Sequence, residues 1–282
     1  MKNLFDTHCH LYDERYSENK EAFFKELQDS DLKYVVDIGT DLLTCRKVLE
    51  DVAAVDMAYG AVGYYPGDTG MCPAQVNDPD KQGLSSNGAP ILSEDVLEEV
   101  FNMYLNNPKI VAIGEIGLDY HDPDWYALPK TQRYWFNRQL EEAVRLDAPV
   151  CIHSRDADGE TFEILKEKAL GKIPVLLHCY SGSAQLAREY VKRGATISLG
   201  GPLTFKNARH SVEVAQIIDL KDLVVETDAP YLTPVPFRGK TNKPYYVKHV
   251  AEKIAEIKGL SYEEVASATF ENACRFYRVG KC

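Results

Sequence analysis

Phe5-Asp6-Thr7-His8-Cys9-His10 places two imidazoles one residue apart at the end of a short apolar run. On an extended strand the side chains repeat every second residue, so His8 and His10 face the same way, Cys9 faces the other, and the two rings can grip one metal ion. Taken alone, a His-x-His is equally what two incidental polar residues look like. Four later segments each carry one more group of the same kind behind an apolar run. They are Glu115 in Ala112-Ile113-Gly114-Glu115-Ile116-Gly117-Leu118-Asp119-Tyr120, His153 in Val150-Cys151-Ile152-His153-Ser154-Arg155, His178 in Leu176-Leu177-His178-Cys179-Tyr180-Ser181-Gly182, and Asp228 in Val225-Glu226-Thr227-Asp228-Ala229-Pro230. Four imidazoles and two carboxylates suit a pair of divalent ions, since imidazole favours zinc-like metals and carboxylate also accepts Mg or Mn. A carboxylate can bridge two ions whereas a neutral imidazole offers one lone pair, which makes Glu115 the natural bridge. Such a pair would acidify a shared water and stabilise the entering and leaving oxygens of a phosphoryl displacement, so the set points to hydrolysis.

The groups need a frame that brings positions 8 to 228 together. Short apolar segments alternate with amphipathic ones throughout: strands are expected near Leu4 to Thr7, Tyr34 to Ile38, Ala58 to Val62, Ile110 to Gly114, Val150 to Ile152, Val175 to Leu177, Thr196 to Leu199 and Leu223 to Val225. Helical spacing lies between them, as in Glu94 to Leu105, Gln132 to Arg145, Thr161 to Lys168 and Ala184 to Lys192, with Tyr245 to Ile257 and Tyr262 to Phe276 at the end. This alternation predicts an α/β chain of parallel βαβ units, most simply one (β/α)8 TIM-type barrel, with room for distortion, over residues 1–282. In that frame each candidate ligand falls just past a strand end, and all those ends share one rim, where barrel enzymes keep their chemistry. Pro66 to Pro90, rich in Gly, Pro, Asp, Asn and Ser, reads as a long loop over the functional face after the third strand.

Composition narrows the function classes. A formal net charge of -11 argues against a protein that coats a polyanion, because such affinity comes from many Lys and Arg contacts that release counterions. It leaves room for a locally positive cleft that works on one phosphate at a time. Seven cysteines at irregular spacings do not form a disulfide framework and read as reduced thiols. With no basic-then-apolar leader and no bilayer-length apolar run, the expectation is a cytoplasmic protein without a membrane partner.

These segments, together with Gly200-Gly201-Pro202-Leu203-Thr204-Phe205-Lys206-Asn207, Glu226-Thr227-Asp228-Ala229-Pro230-Tyr231-Leu232-Thr233-Pro234 and Arg238-Gly239-Lys240, resemble the TatD family of metal-dependent deoxyribonucleases in the amidohydrolase-like barrel superfamily. The likeness runs from about Phe5 to Phe276. It implies that His8, His10, Glu115 and Asp228 serve one metal and Glu115, His153 and His178 the other, in a TIM barrel. It also implies a 3'-5' exonuclease acting on single-stranded or frayed DNA with two divalent ions (Mg, Mn or Zn). The alternative is an ester or amide hydrolase of the same superfamily, for example an aminoacyl-tRNA deacylase. One segment departs from the family: Gly63-Tyr64-Tyr65-Pro66-Gly67 stands where Gly-x-His-Pro-His is common. Tyrosine replaces imidazole neither as a nitrogen ligand nor as an acid–base group near neutral pH, so substrate orientation or leaving-group protonation is expected to differ.

Catalysis is assigned to Asp228, as ligand and base, with Glu115; the plain alternative for Asp228 is a cap on a helix with Pro230 early in it. Arg155, Lys206 and Arg238 are the candidates to grip substrate phosphate, with Arg209, Lys240 and Lys243 nearby in sequence, against the alternative of a solvated charged surface. Asp119 and Tyr120 are read either as orienting ligands or as a turn beside a packed aromatic. Tyr64, Tyr65, Trp125 and Tyr126 are read as stacking platforms for splayed bases or as packing.

Overall fold

The apolar runs become parallel strands in a computed structural model that describes residues 4–75, 77–78, 81–124 and 126–280. They are β1 (Leu4–Cys9), β2 (Leu32–Ile38), β3 (Ala58–Val62), β4 (Ile110–Asp119), β5 (Val150–Arg155), β6 (Val175–Leu177), β7 (Thr196–Leu199) and β8 (Leu223–Val225). They follow one another in chain order in a single eight-stranded sheet, the topology of the expected (β/α)8 class. The helices between and after them are α1 (Lys20–Asp29), α2 (Leu42–Ala54), α3 (Glu94–Asn106), α4 (Pro129–Arg145), α5 (Asp158–Lys168), α6 (Ala184–Val191), α7 (Arg209–Ile217), α8 (Val247–Lys258) and α9 (Tyr262–Tyr277). Three of the starts are marked by serine: Ser93 and Ser183 cap α3 and α6, and Ser261 forms a reciprocal capping box with Glu264 on α9. Among the described residues no helix is long and apolar enough to cross a membrane.

Packing divides the chain into two compact units, Met1–Asp37 with Asp51–Tyr59 and His178–Cys282, and Ile38–Glu50 with Gly60–Leu177. In the first, β1 pairs with β2 and β7 with β8. Beyond β8 the chain also runs beside β1: the His10 amide donates to Ala229 O at 2.7 Å and the Asp228 amide to His8 O at 2.9 Å. A buried side-chain lock reinforces this seam, for Thr227 donates through both its amide and its hydroxyl to Asp6. Phe5 packs against Tyr34, Phe270 and Tyr277, and the Tyr277 hydroxyl donates to Thr7 O at 2.8 Å, so α9 is fastened to β1 by apolar burial and a hydrogen bond together.

In the second unit β3 pairs with β4, β4 with β5 and β5 with β6. Here the sequence reading needs correction. β4 does not end at Gly114 nor β5 at Ile152: their pairing continues through Ile116 with Ile152, Gly117 with His153, Leu118 with Ser154 and Asp119 with Arg155. Glu115 and His153 therefore lie inside strands rather than past their ends, as does His8 in β1. Gly117 permits the extension: its φ is +149°, and a Cβ there would stand 1.9 Å from the His153 carbonyl oxygen. The described residues between Pro66 and Pro90 form a strap, with short 3-10 turns at Pro66–Asp68 and Pro73–Gln75 and a bridge between Leu84 and Pro90. Asn87 clips it, donating to Asp41 Oδ2 at 2.8 Å and Asp68 Oδ2 at 3.2 Å. Burial, with Asp41 close by, pushes the Asp68 carboxyl up to about 7.

Candidate metal centre

In the first unit, residues from β1, from the start of the segment after β6, and from the segment after β8 converge. The rings of His8 and His10 are 5.2 Å apart, and both present Nε2 to Asp228 Oδ1, at 3.8 and 3.4 Å. The shared orientation expected from strand periodicity is what holds them there. His178 stacks on His8 with ring centroids 3.8 Å apart. The alternative of a helix cap at Asp228 does not apply: no helix starts between residues 229 and 243, and Asp228 sits at φ +56°, a left-handed conformation that aspartate tolerates better than most residues. Its amide and carbonyl are both engaged, by His8 O and the Tyr231 amide. Burial acts to raise its carboxyl, but His10, His178 and His8 outweigh that and hold it below the usual carboxylate range.

Two of these imidazoles are aimed by a neighbour. The His10 Nδ1 is 3.0 Å from the Tyr12 hydroxyl, leaving Nε2 toward Asp228. The His178 Nδ1 is 3.0 Å from Glu226 Oε1, and Ser198 donates its hydroxyl to the other Glu226 oxygen. Glu226 is fully buried. It could itself be counted among metal donors with His8 and His178, but with both oxygens engaged it serves as the group that orients His178, a common partner of metal-binding imidazole. Sequence reasoning gave Glu226 no role. The signal was its place directly behind the apolar run of β8 and two residues before Asp228 in Glu226-Thr227-Asp228.

In the second unit β4 and β5 bring Glu115, Asp119 and His153 together. Glu115 and Asp119 are four residues apart and so share a face of β4. His153 lies between them, with Nδ1 2.7 Å from Glu115 Oε1 and Nε2 2.9 Å from Asp119 Oδ2. Asp119 is the orienting residue of the two expected readings, not a turn: it is the last residue of β4 and fully buried. Burial pushes its carboxyl up, yet His153, the Tyr65 hydroxyl and the His121 amide bring it below the usual range. Tyr120 donates to Glu160 at 2.8 Å, away from this group.

Does the donor set fit divalent ions? Bonds of about 2.0–2.2 Å to nitrogen and oxygen set ligand atoms about 3–3.5 Å apart, and His8, His10 and Asp228 offer atoms within 4.8 Å of one another, with the His10 to Asp228 distance inside that interval. In the second unit a basic ring nitrogen and a carboxylate oxygen 2.7 Å apart need a shared positive charge, from a proton or a cation. Both groups fit.

The cationic candidates are more dispersed. Arg238 lies over the Phe205 ring at 3.9 Å and donates to Thr233 O, beside exposed Lys206. Arg155 is exposed at the end of β5. Lys243 and Arg209 are tied to Glu26 and Glu213, the solvated-surface alternative. Arg15, which sequence reasoning passed over, sits over the Tyr231 ring at 4.2 Å, and that ring stands edge-on to His10. Tyr64 is packing, whereas Tyr65 and Tyr126 form an edge-to-face pair; Trp125 and Cys282 lie outside the described residues. The six described cysteines are free thiols, Cys151 among the buried ones.

Comparison with known proteins follows the same lines. A family model described as TatD related DNase matches residues 5–278. The uncharacterized metal-dependent hydrolase YabD of Bacillus subtilis is 39% identical over 277 residues, 98% of this chain and 99% of that one. YcfH of Escherichia coli K12, also an uncharacterized metal-dependent hydrolase, is 32% identical over 287 residues, covering 98% and 96%. The crystal structure of YJJV, a TatD homologue from Escherichia coli K12, superposes with a TM-score of 0.83 at 27% identity over 99% of this chain and 100% of that one.

Proposed function

Since the chain belongs to the TatD-related DNase family and is a metal-dependent hydrolase, we propose that it hydrolyses phosphodiester bonds of DNA, as a 3'-5' exonuclease on single-stranded or frayed ends. One divalent cation is assigned to His8, His10 and Asp228, a second to Glu115 and His153. The bridging role of Glu115, and His178 as a further donor to the second cation, belong to the same proposal. Bound there, Mg, Mn or Zn would acidify water and offset charge on the phosphodiester.

The chain's own residues do the rest. Asp228, 15% exposed and held ionised by the imidazoles around it, orients the attacking water and accepts its proton. Glu226 and Tyr12 keep His178 and His10 turned to present Nε2. Arg238, Arg155 and Lys206 are assigned to the non-bridging oxygens, with guanidinium able to bind two at once. The observation that carries the reading is the packing of two imidazole nitrogens within 3.8 Å of one lowered carboxylate that keeps access to solvent.

The test is product analysis on end-labelled single- and double-stranded oligonucleotides, with metal content measured on the same preparation. Activity should vanish with chelator, return with Mg, Mn or Zn, and fall by orders of magnitude in His153→Ala and Glu115→Ala. Cutting by metal-stripped protein would refute the proposal. Hydrolysis of aminoacylated tRNA or simple esters with the oligonucleotides left intact would transfer the site to the alternative substrate class.

A further inference from the structure

The segment that departs from the family, Gly63-Tyr64-Tyr65-Pro66-Gly67, sends its two tyrosines to different tasks. Tyr64 is fully buried, donates its amide to Gln139 Oε1 at 2.8 Å and its hydroxyl to Pro90 O at 2.7 Å, so it anchors the strap to α4. Tyr65 turns to the ends of β4 and β5. Its hydroxyl donates to Asp119 Oδ2, and its ring meets the His153 ring edge-on with centroids 5.0 Å apart.

Asp119 is gripped from every side. Oδ2 faces both the Tyr65 hydroxyl and His153 Nε2, Oδ1 accepts the His121 amide at 2.9 Å, and Gln132 clamps the backbone, accepting from the Asp119 amide at 2.8 Å and donating to its carbonyl at 2.7 Å. A carboxylate only accepts, so its partners must bring hydrogens. Glu115, 2.7 Å from Nδ1, makes the same demand of the other nitrogen, so without a cation the ring carries a hydrogen on each side, and a cation at Nδ1 would take the place of the second hydrogen while Nε2 keeps its own for Asp119.

Position 67 completes the arrangement. A Cβ on Gly67 would lie 2.7 Å from the Tyr126 ring and 2.8 Å from the Tyr65 ring, so no larger side chain fits without displacing one of them. Tyr126 stands edge-to-face with Tyr65 at 5.8 Å and walls it toward Asp119.

We infer that Tyr65 is a positioning residue that acts through Asp119 to fix His153 with Nδ1 available to a cation, and that Gly67 exists in this chain to seat Tyr126 against it. Positions 65 and 67 thus contribute no acid–base group to the reaction; they trade that chemistry for a fixed ligand. The inference rests on His153 as a metal ligand, as proposed above.

The full chain, stripped with chelator, is titrated with Mn calorimetrically, and the His153 ring is read by nitrogen-15 NMR in the metal-free protein. Tyr65→Phe keeps the ring and removes only the hydroxyl. It should weaken one Mn site by roughly 10-fold or more, in the range that outer hydrogen-bond partners of metal ligands command, and turn a single, slowly exchanging His153 Nε2–H signal into a broadened, faster-exchanging one. Asp119→Asn should shift both readouts the same way, and the double variant should be no worse than the worse single one. Tyr64→Phe should leave both readouts as in the wild type, whatever it does to the melting temperature. Wild-type Mn affinity and an unchanged His153 signature in Tyr65→Phe would overturn the inference, as would equal losses in Tyr64→Phe. If the wild type itself takes up no Mn, the metal assignment of His153 fails, while the Nε2–H comparison still decides whether Tyr65 fixes the ring.

Discussion

Replacing Asp68 by Asn should flatten the pH dependence of stability by an amount that follows from its burial. Asp68 is 7% exposed, carries Asn87 across the strap, and titrates near 7 in the folded chain because burial and Asp41 disfavour its charge. Unfolded, the same carboxyl titrates near 3.9. Between those values the unfolded chain has lost a proton that the folded chain still holds, so raising the pH favours unfolding, by up to about 1.4 kcal/mol per pH unit. From pH 5 to pH 8 the wild type should therefore lose about 2.5 kcal/mol more than Asp68→Asn, on the order of a quarter of a typical domain's stability. The variant's offset at any one pH also contains its altered hydrogen bonds with Asn87, so the difference between the two pH values is the quantity to compare. Urea unfolding at both pH values, in chelator so that metal loading does not enter, measures it. Parallel stability curves for the two proteins would refute the assignment of a protonated Asp68 at pH 5 to 6.

Glu226→Gln should weaken metal binding by roughly 10–100-fold, because the amide no longer supplies the charge that orients His178; equilibrium dialysis against a competing chelator reads this directly. Asp228→Asn should lower kcat on oligonucleotides by about 10²–10⁴-fold even at saturating metal, the usual scale for a lost general base, and single-turnover rates check it. Arg238→Met, which retains apolar contact with Phe205, should raise KM for DNA with little change for a simple ester, measured by steady-state kinetics. Thr227→Val should destabilise the chain by about 1–3 kcal/mol, since it leaves buried Asp6 short of a donor; thermal unfolding tests it.

The strand positions were legible because β1 to β8 are short apolar runs separated by helical spacing, and the pairing of His8 with His10 followed from the strand period alone. What the sequence hid was where strands stop. β4 stays buried through ten residues because it is covered on both faces, so Glu115 and Asp119 interrupt the apolar pattern without ending the strand. Partners fixed by tertiary approach were equally hidden: Glu226 reads as one acid among 43 Asp and Glu until His178 is seen against it. The Pro66 to Pro90 strap looked aperiodic because its order comes from side-chain clips such as Asn87, which leave no periodic trace.

The seam between β1 and the segment beyond β8 also sets a timetable for biosynthesis. His8 and His10 leave the ribosome before Asp228, which follows 220 positions later, roughly ten to forty seconds at about 5–20 residues per second. Until then this group is only half a claw, two imidazoles that can hold a cation no more firmly than any small chelating peptide. Capture of the cation proposed for this group is thereby deferred until Thr227 reaches Asp6 and draws the segment beyond β8 onto β1.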